Sequence, residues 1–205
     1  MVATSGVDEA ASSSAVSVNS NRVPTPNSSL VVNVRDSNYG AKGDGATDDT
    51  AAIQRAVNAM AGTGGTVMIP GGIYMVNPIT VSSVWGLVLG SNMTLSLTSG
   101  AIRKAITNSP PNYSVVGMVG CSNVTISGGT ITGDRSTHTG TTGEWGMGIY
   151  VGTGSTNITI QNLTVKDCWG DGLCVAGSGC SMPPSAEWWL HCPGIPLDTH
   201  LGTIP

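Results

Sequence analysis

Apolar and polar residues alternate along the middle of the chain in short runs, and three of those runs share one form. Asn92-Met93-Thr94-Leu95-Ser96-Leu97, Asn123-Val124-Thr125-Ile126-Ser127 and Asn157-Ile158-Thr159-Ile160-Gln161 each open on asparagine and then place an apolar residue at every second position. Alternation with period two marks a half-buried strand. A second short strand follows each run: Ala101-Ile102, Gly129-Thr130-Ile131-Thr132 and Leu163-Thr164-Val165. Similar residues recurring at a near-constant interval are what a solenoid requires, because each coil buries its apolar positions against those of the next. The runs begin 31 and 34 residues apart, whereas a bare coil of three short strands needs roughly 20–25 residues. The excess is expected to leave as loops on one side, where function concentrates. The leading asparagines also fall in Asn-x-Ser/Thr triplets, as do Asn27, Asn112 and Asn162. They are read as structural, with Asn bonding backbone at the start of a coil, rather than as glycosylation sites.

The apolar spacing changes once. Ile53, Ala56, Val57 and Met60 lie at i, i+3, i+4 and i+7, the stripe of one helix of about a dozen residues. Thr47 or Asp48 is the expected N-cap, Asp48 and Asp49 complement the helix dipole, and Gly62 is the expected C′ residue. Two short strands follow, Thr66–Pro70 and Ile73–Val76, set around Pro70-Gly71-Gly72. Gly43-Asp44-Gly45 predicts a tight turn in which Asp44 bonds nearby backbone. These glycines lack the strand, G-x-G-x-x-G, helix order and the Gly-Lys-Ser/Thr of phosphate loops. One helix before an all-strand body predicts a plug on the end of a stack of sheets.

The ordered set Tyr39-Gly40-Ala41-Lys42-Gly43-Asp44-Gly45, Asp48-Asp49-Thr50, Ala52-Ile53-Gln54, Gly64-Gly65-Thr66-Val67 and Ile69-Pro70-x-Gly72-x-Tyr74 resembles the opening cassette of the pectate-lyase-like right-handed parallel β-helix superfamily. That superfamily includes polygalacturonases and rhamnogalacturonases of glycoside hydrolase family 28, mannuronan epimerases and phage tailspikes. The resemblance implies an all-β fold, a right-handed parallel β-helix with one N-terminal capping α-helix. It leaves the reaction open, because hydrolases, lyases, epimerases and virion spikes share the cassette.

Composition narrows the picture. Glycine is 29 of 205 residues, charged residues are 10%, and phenylalanine is absent, a bias away from helical bundles. A net charge of −4 gives no basic footprint and argues against nucleic acid. No apolar run reaches the roughly 20 residues that span a bilayer.

Candidate chemistry gathers in Gly133–Gly172, where Asp134, Arg135, His138, Glu144 and Asp171 cluster in a chain poor in charge. Trp145 and Trp169 lie among them as candidate sugar platforms. Trp-Gly-Asp-Gly at 169–172 resembles the end of an Asp-bearing coil in bacterial members of the superfamily, but the Asn-Thr-Asp, Asp-Asp, His-Gly and Arg-Ile-Lys motifs of polygalacturonases are absent. Glycoside hydrolysis needs two carboxyls roughly 5–9.5 Å apart, and coils about 4.8 Å apart could supply them. Glu144 or Asp134 with Asp171 is the expected pair. Hydrolysis of a pectin-like acidic polysaccharide, without a cofactor, is the favoured expectation. A lyase or uronate epimerase is the first alternative, with Arg135 and His138 serving proton abstraction and Ca²⁺ held by carboxylates. A non-catalytic carbohydrate-binding or structural β-helix, such as a virion spike segment, is the second. Asp134 and Asp171 beside glycines also suit plain turns.

Residues 1–30, rich in Ser, Ala, Val and Asn, are expected to be a flexible leader without a recognisable signal peptide. Residues 31–176 are the expected β-helix. Residues 177–205, with five prolines and no repeat, are expected to be an irregular tail, truncated or frame-shifted. By resemblance the protein is expected outside the cell or at the cell wall. Cys121, Cys168, Cys174, Cys180 and Cys192 form no CxxC pair, which argues against zinc and leaves disulfides open.

Overall fold

A computed structural model describes residues 30–80, 84–142 and 145–176, with the backbone of 190–191. The elements run β1 (Val31–Asn33), β2 (Asp44–Asp48), α1 (Thr50–Met60), β3 (Thr66–Ile69), β4 (Gly72–Val76), β5 (Trp85–Val88), β6 (Met93–Leu97), β7 (Ala101–Ala105), β8 (Asn112–Met118), β9 (Ser122–Ser127), β10 (Thr130–Thr132), β11 (Trp145–Val151), β12 (Thr156–Gln161), β13 (Thr164–Lys166), β14 (Leu173–Val175) and β15 (Leu190–His191). They form three parallel sheets, β1-β3-β6-β9-β12 (sheet A), β2-β4-β7-β10-β13-β15 (sheet B) and β5-β8-β11-β14 (sheet C). The chain visits A, B and C in turn, so it is a right-handed parallel β-helix of about four turns.

The register follows the sequence repeat. Met93 pairs Val124 and Val124 pairs Ile158, while Leu95 pairs Ile126 and Ile126 pairs Ile160. All six are buried, so the alternation resolves into one apolar column per inward position. Thr66, Thr94, Thr125 and Thr159 form the outward column beside them, at intervals of 28, 31 and 34 residues.

The leading asparagines do more than bond local backbone. Asn92, Asn123 and Asn157 all adopt left-handed φ of 53° to 57°, which asparagine tolerates better than most residues. Their amides form a ladder: Asn123 Nδ2 donates to Asn92 Oδ1 at 2.8 Å, and Asn157 Nδ2 donates to Asn123 Oδ1 at 2.7 Å. This ladder runs up the corner between sheets C and A.

Helix α1 occupies the place that a sheet C strand would take in the first coil. Its stripe of Ile53, Ala56, Val57 and Met60 is buried. Gln54 treats β5 as a strand would: its Nε2 donates to Val88 O and its Oε1 accepts from Val88 N, both at 2.9 Å. The free edge of sheet C is thereby closed at the plug end.

The capping expectation is corrected in detail. Asp49 is the N-cap but makes no side-chain bond to the helix. Its buried carboxylate instead accepts Lys42 N at 2.6 Å and Gly43 N at 2.9 Å, holding the preceding glycine-rich turn. Asp48 Oδ1 accepts Thr50 N and Thr50 Oγ1. The first helical turn carries no acidic residue. Asp44 behaves as expected, accepting Ala46 N, Thr47 N and Thr47 Oγ1, and these donors hold its carboxyl down to about 2. Gly62 follows the C-cap Ala61 with φ 80°.

Connections differ in length by corner. Apart from the ten residues that join β1 to β2 in the first coil, those from A to B take two or three residues and those from C to A three or four, whereas those from B to C take six to twelve. The surplus length predicted by the repeat therefore leaves at one corner. No helix among the described residues is long and apolar enough to cross a membrane.

Candidate active site at the corner between sheets B and C

Four connections turn at this corner, and three of them build the site: residues 106–111, 133–144 and 167–172. The middle one leaves β10 after Thr132 and places Asp134 in the interior, 1% exposed. Four donors reach its carboxylate. Asn108 N and Nδ2 approach Oδ2 at 3.1 and 2.8 Å, His138 Nδ1 lies 3.0 Å from the same oxygen, and Tyr113 OH donates to Oδ1. Tyr113 is held firmly protonated, first by burial and then by this bond. One carboxylate, with both oxygens engaged, thus ties the loop to the coil beneath it.

His138 is packed between aromatic rings, with its ring centroid 4.4 Å from Trp169 at 20° and 6.0 Å from Tyr113 at 26°. Its side chain is fully buried. Asp134 against Nδ1 favours the tautomer that leaves Nε2 with its lone pair. Nε2 has no hydrogen-bond partner and faces the backbone of Gly140, where an added Cβ would come within 2.6 Å of it. Orientation by a carboxylate with a vacant second nitrogen is the arrangement of a general base. The same loop covers that nitrogen.

The outer face of sheet B runs up to this corner. Ala101, Arg103 and Ala105 point inward on β7, so Lys104 points out; Val165 points inward on β13, so Lys166 points out. Lys104, Thr132 and Lys166 are register partners on successive coils. Two coil steps of about 4.8 Å put the lysine backbones roughly 10 Å apart. Between them Thr132 Oγ1 is buried and has no partner. Thr132, the middle member of this column, lies two residues before Asp134.

The expected site residues divide among different places. Asp134 and His138 come together, and Trp169 joins them. Arg135 lies beside them, its Nε donating to Cys168 O at 2.8 Å and its backbone N to Asp167 O at 3.0 Å. Asp171 is exposed on the next coil, where its backbone O accepts Gly148 N. Trp145 opens β11 on the outer face of sheet C and is 62% exposed. Glu144 lies outside the described residues, as do Cys180 and Cys192. Cys121 and Cys174 are free thiols. Among the described residues no three His, Cys, Asp or Glu side chains gather to hold a metal ion.

Sequence reasoning missed Asn108, Tyr113, Lys104, Thr132 and Lys166. Register was the missing signal: the lysines are 62 residues apart in sequence and become a pair only once Thr130 is aligned with Ile102 and Thr164.

The class defined by this fold and corner is the parallel β-helix. A family model described as "Rhamnogalacturonase A/epimerase, pectate lyase-like" matches residues 31–95, and the fold is that of the pectate-lyase-like β-helix superfamily. Uncharacterized protein YclG of Bacillus subtilis is 31% identical over 163 residues, covering 73% of this chain and 27% of that protein. Mannuronan C5-epimerase AlgE1 of Azotobacter vinelandii is 33% identical over 154 residues, covering 70% of this chain and 11% of that one. The A-module of mannuronan C-5 epimerase AlgE6 from the same organism superposes with a TM-score of 0.60 at 27% identity, over 73% of this chain and 40% of the module. The chain therefore spans about a quarter or less of the curated relatives it matches, and those of them named for an activity include an epimerase, a lyase and a galacturonosidase.

Proposed function

We propose that the protein modifies an acidic polysaccharide by abstracting a proton beside a uronate carboxylate, leading to elimination or epimerisation. The observation that carries this reading is a pairing of two features: Lys104 and Lys166 flank Thr132 in register, and two residues further along the chain Asp134 orients His138. Lysines on the outer face of sheet B suit the repeating carboxylates of such a polymer, and a cation against a carboxylate stabilises the carbanion-like state that follows proton loss. In this reading His138 Nε2 takes the proton once the Gly140 segment moves off it. Electrons from the broken C–H bond then either expel the neighbouring glycosidic oxygen, giving an unsaturated end, or accept a proton on the opposite face, giving the epimer. The relationship to mannuronan epimerases supports this chemistry.

Hydrolysis stands lower in this reading because both oxygens of Asp134 are already engaged. That carboxyl is poorly placed to act as one of the two acids a glycosidase requires. Ca²⁺ added to the assay would measure whether an ion shares the charge-neutralising task. A location outside the cell or at the cell wall is consistent with a polymeric substrate.

The test is incubation of the protein with polygalacturonate and with alginate. Unsaturated ends detected by ultraviolet absorbance, or a changed uronate ratio in the proton NMR spectrum, are expected. Lys104→Met and Lys166→Met should weaken polymer binding, and added salt should do so too. Reducing ends without unsaturation would replace the proposal with hydrolysis, and binding with no chemical change would leave a carbohydrate-binding module.

A further inference from the structure

The outer face of sheet C carries a groove of about 320 Å³ around the corner from the lysine column. Its walls are aromatic. Trp85 on β5 and Tyr150 on β11 meet with ring centroids 5.2 Å apart and planes tilted by 50°. Between them in register lies Gly117 of β8, which pairs with Val88 and with Tyr150. A Cβ at 117 would come within 2.3 Å of the Trp85 ring. The bare backbone at that position lets the indole lie against the sheet and reach across one coil to Tyr150. Trp145 closes another side of the groove and is 62% exposed, an unusual position for so large an apolar surface.

The polar groups are few and uncharged. Asn112 and Ser114 line the groove as neighbours of Trp145 and Met147 in register. Cys174, the most readily ionised group in the lining, is kept in its thiol form by burial and then by the charge of Asp171. Among the described residues, no Asp, Glu, Lys, Arg or His lines the groove. A concave apolar site with a few hydrogen-bonding groups is the general form of a small-ligand pocket, and its volume lies at the small end of that class, roughly 300–1,000 Å³.

We propose that this groove is a binding site for uncharged pyranose rings, separate from the acidic-glycan face of sheet B. The C–H faces of a pyranose stack on Trp145 and on the Trp85–Tyr150 pair, while ring hydroxyls bond to Asn112 and Ser114. The absence of charge selects against uronates, whose carboxylate would be desolvated here without a partner. The occupant is a neutral oligosaccharide, either a separate glycan or an uncharged stretch of a mixed polymer. The inference stands on the groove alone and does not depend on the reading of sheet B.

Intrinsic tryptophan fluorescence tests it, with the full chain titrated with cellotetraose, mannotetraose and xylotetraose, and with tetragalacturonate for comparison. At least one neutral sugar is expected to shift the emission to the blue and saturate, with an affinity that is unchanged by molar salt. Trp145→Ala should weaken that affinity at least tenfold, and its exposure makes the substitution tolerable to folding. Asn112→Ala should weaken it severalfold, while Lys104→Met should leave it unaltered. Saturable binding of tetragalacturonate alone, lost in salt and in Lys104→Met, would assign all sugar binding to sheet B and overturn the proposal. So would neutral-sugar binding that survives Trp145→Ala, or no response to any of the three neutral sugars. Failure of the lysine substitutions to affect acidic glycans would count only against the sheet B reading.

Discussion

Arg103 is fully buried inside the solenoid, and none of its three guanidinium nitrogens has a hydrogen-bond partner. It stands between Tyr74 of the coil below and Ile131 of the coil above. Burial lowers its pKa from the ordinary guanidinium range to about 9, a shift equivalent to about 5 kcal/mol against the charged form at neutral pH. Replacing a buried charge with an apolar side chain of similar length typically gains about 1–4 kcal/mol, so Arg103→Met should stabilise the protein by that order. Linkage adds a second signature. Above about pH 9, up to the ordinary guanidinium range, the unfolded chain holds a proton on Arg103 that the folded chain lacks, so wild-type stability rises with pH across that window. The destabilisation is fully present below pH 9, and by about pH 10.5 some 2 kcal/mol of it should be recovered. Urea denaturation of both proteins at neutral pH and at about pH 10.5 measures this directly, because titration of other groups cancels in the difference. A variant less stable than wild type at neutral pH, or a gap that ignores pH, would refute the reasoning and place a compensating acceptor against the guanidinium.

Three other perturbations follow from the geometry. Asn123→Ala removes both rungs of the ladder and puts alanine at φ 57°; a loss of about 2–4 kcal/mol is expected by chemical denaturation, with Asn123→Gly losing less because only the rungs go. Gln54→Ala strips both partners from Val88, and should cost about 1–3 kcal/mol and speed hydrogen exchange at the Val88 amide. Asp134→Asn keeps the shape of the corner but replaces an acceptor for four donors; polymer modification should fall at least a hundredfold, and the NMR signals of His138 should show a changed tautomer balance.

The columns of the solenoid were legible because their two-residue period admits only one inward set once three similar runs are aligned. Ile126 and Ile160 could be placed above one another from sequence alone. Sheet C was not legible. Its strands, such as Trp85-Gly86-Leu87-Val88 and Trp145-Gly146-Met147-Gly148-Ile149-Tyr150-Val151, mix glycine and aromatic residues and do not alternate. The last of these was grouped with candidate chemistry rather than with the wall. The direction of β7 was equally hidden. Ala101-Ile102-Arg103-Lys104-Ala105 has apolar residues in both phases, and hydropathy would turn Ile102 inward, whereas the structure buries Arg103. Asp134 and His138 were found because charge is rare in this chain, but their partners Asn108 and Tyr113 come from the coil below and carry no charge to mark them.

The position of the candidate site follows from what the other corners can tolerate. At the corner from C to A, Asn92, Asn123 and Asn157 must stack within hydrogen-bond distance and hold left-handed backbone. An inserted residue there would take its asparagine out of the ladder and leave the rungs above and below unmade. At the corner from A to B, above the first coil with its ten-residue connection, the turns of two or three residues use left-handed Gly100, Gly128, Gly129 and Asn162, and extra length there would separate strands whose inward residues pack on one another. The corner from B to C carries no such ladder, and its connections grow to twelve residues without disturbing either sheet. Length added there must still be anchored, and Asp134 anchors it by gathering donors from the coil beneath. The same bonds that fix the loop also fix the histidine ring, so this corner joins the freedom to vary with the rigidity that chemistry on a polymer requires.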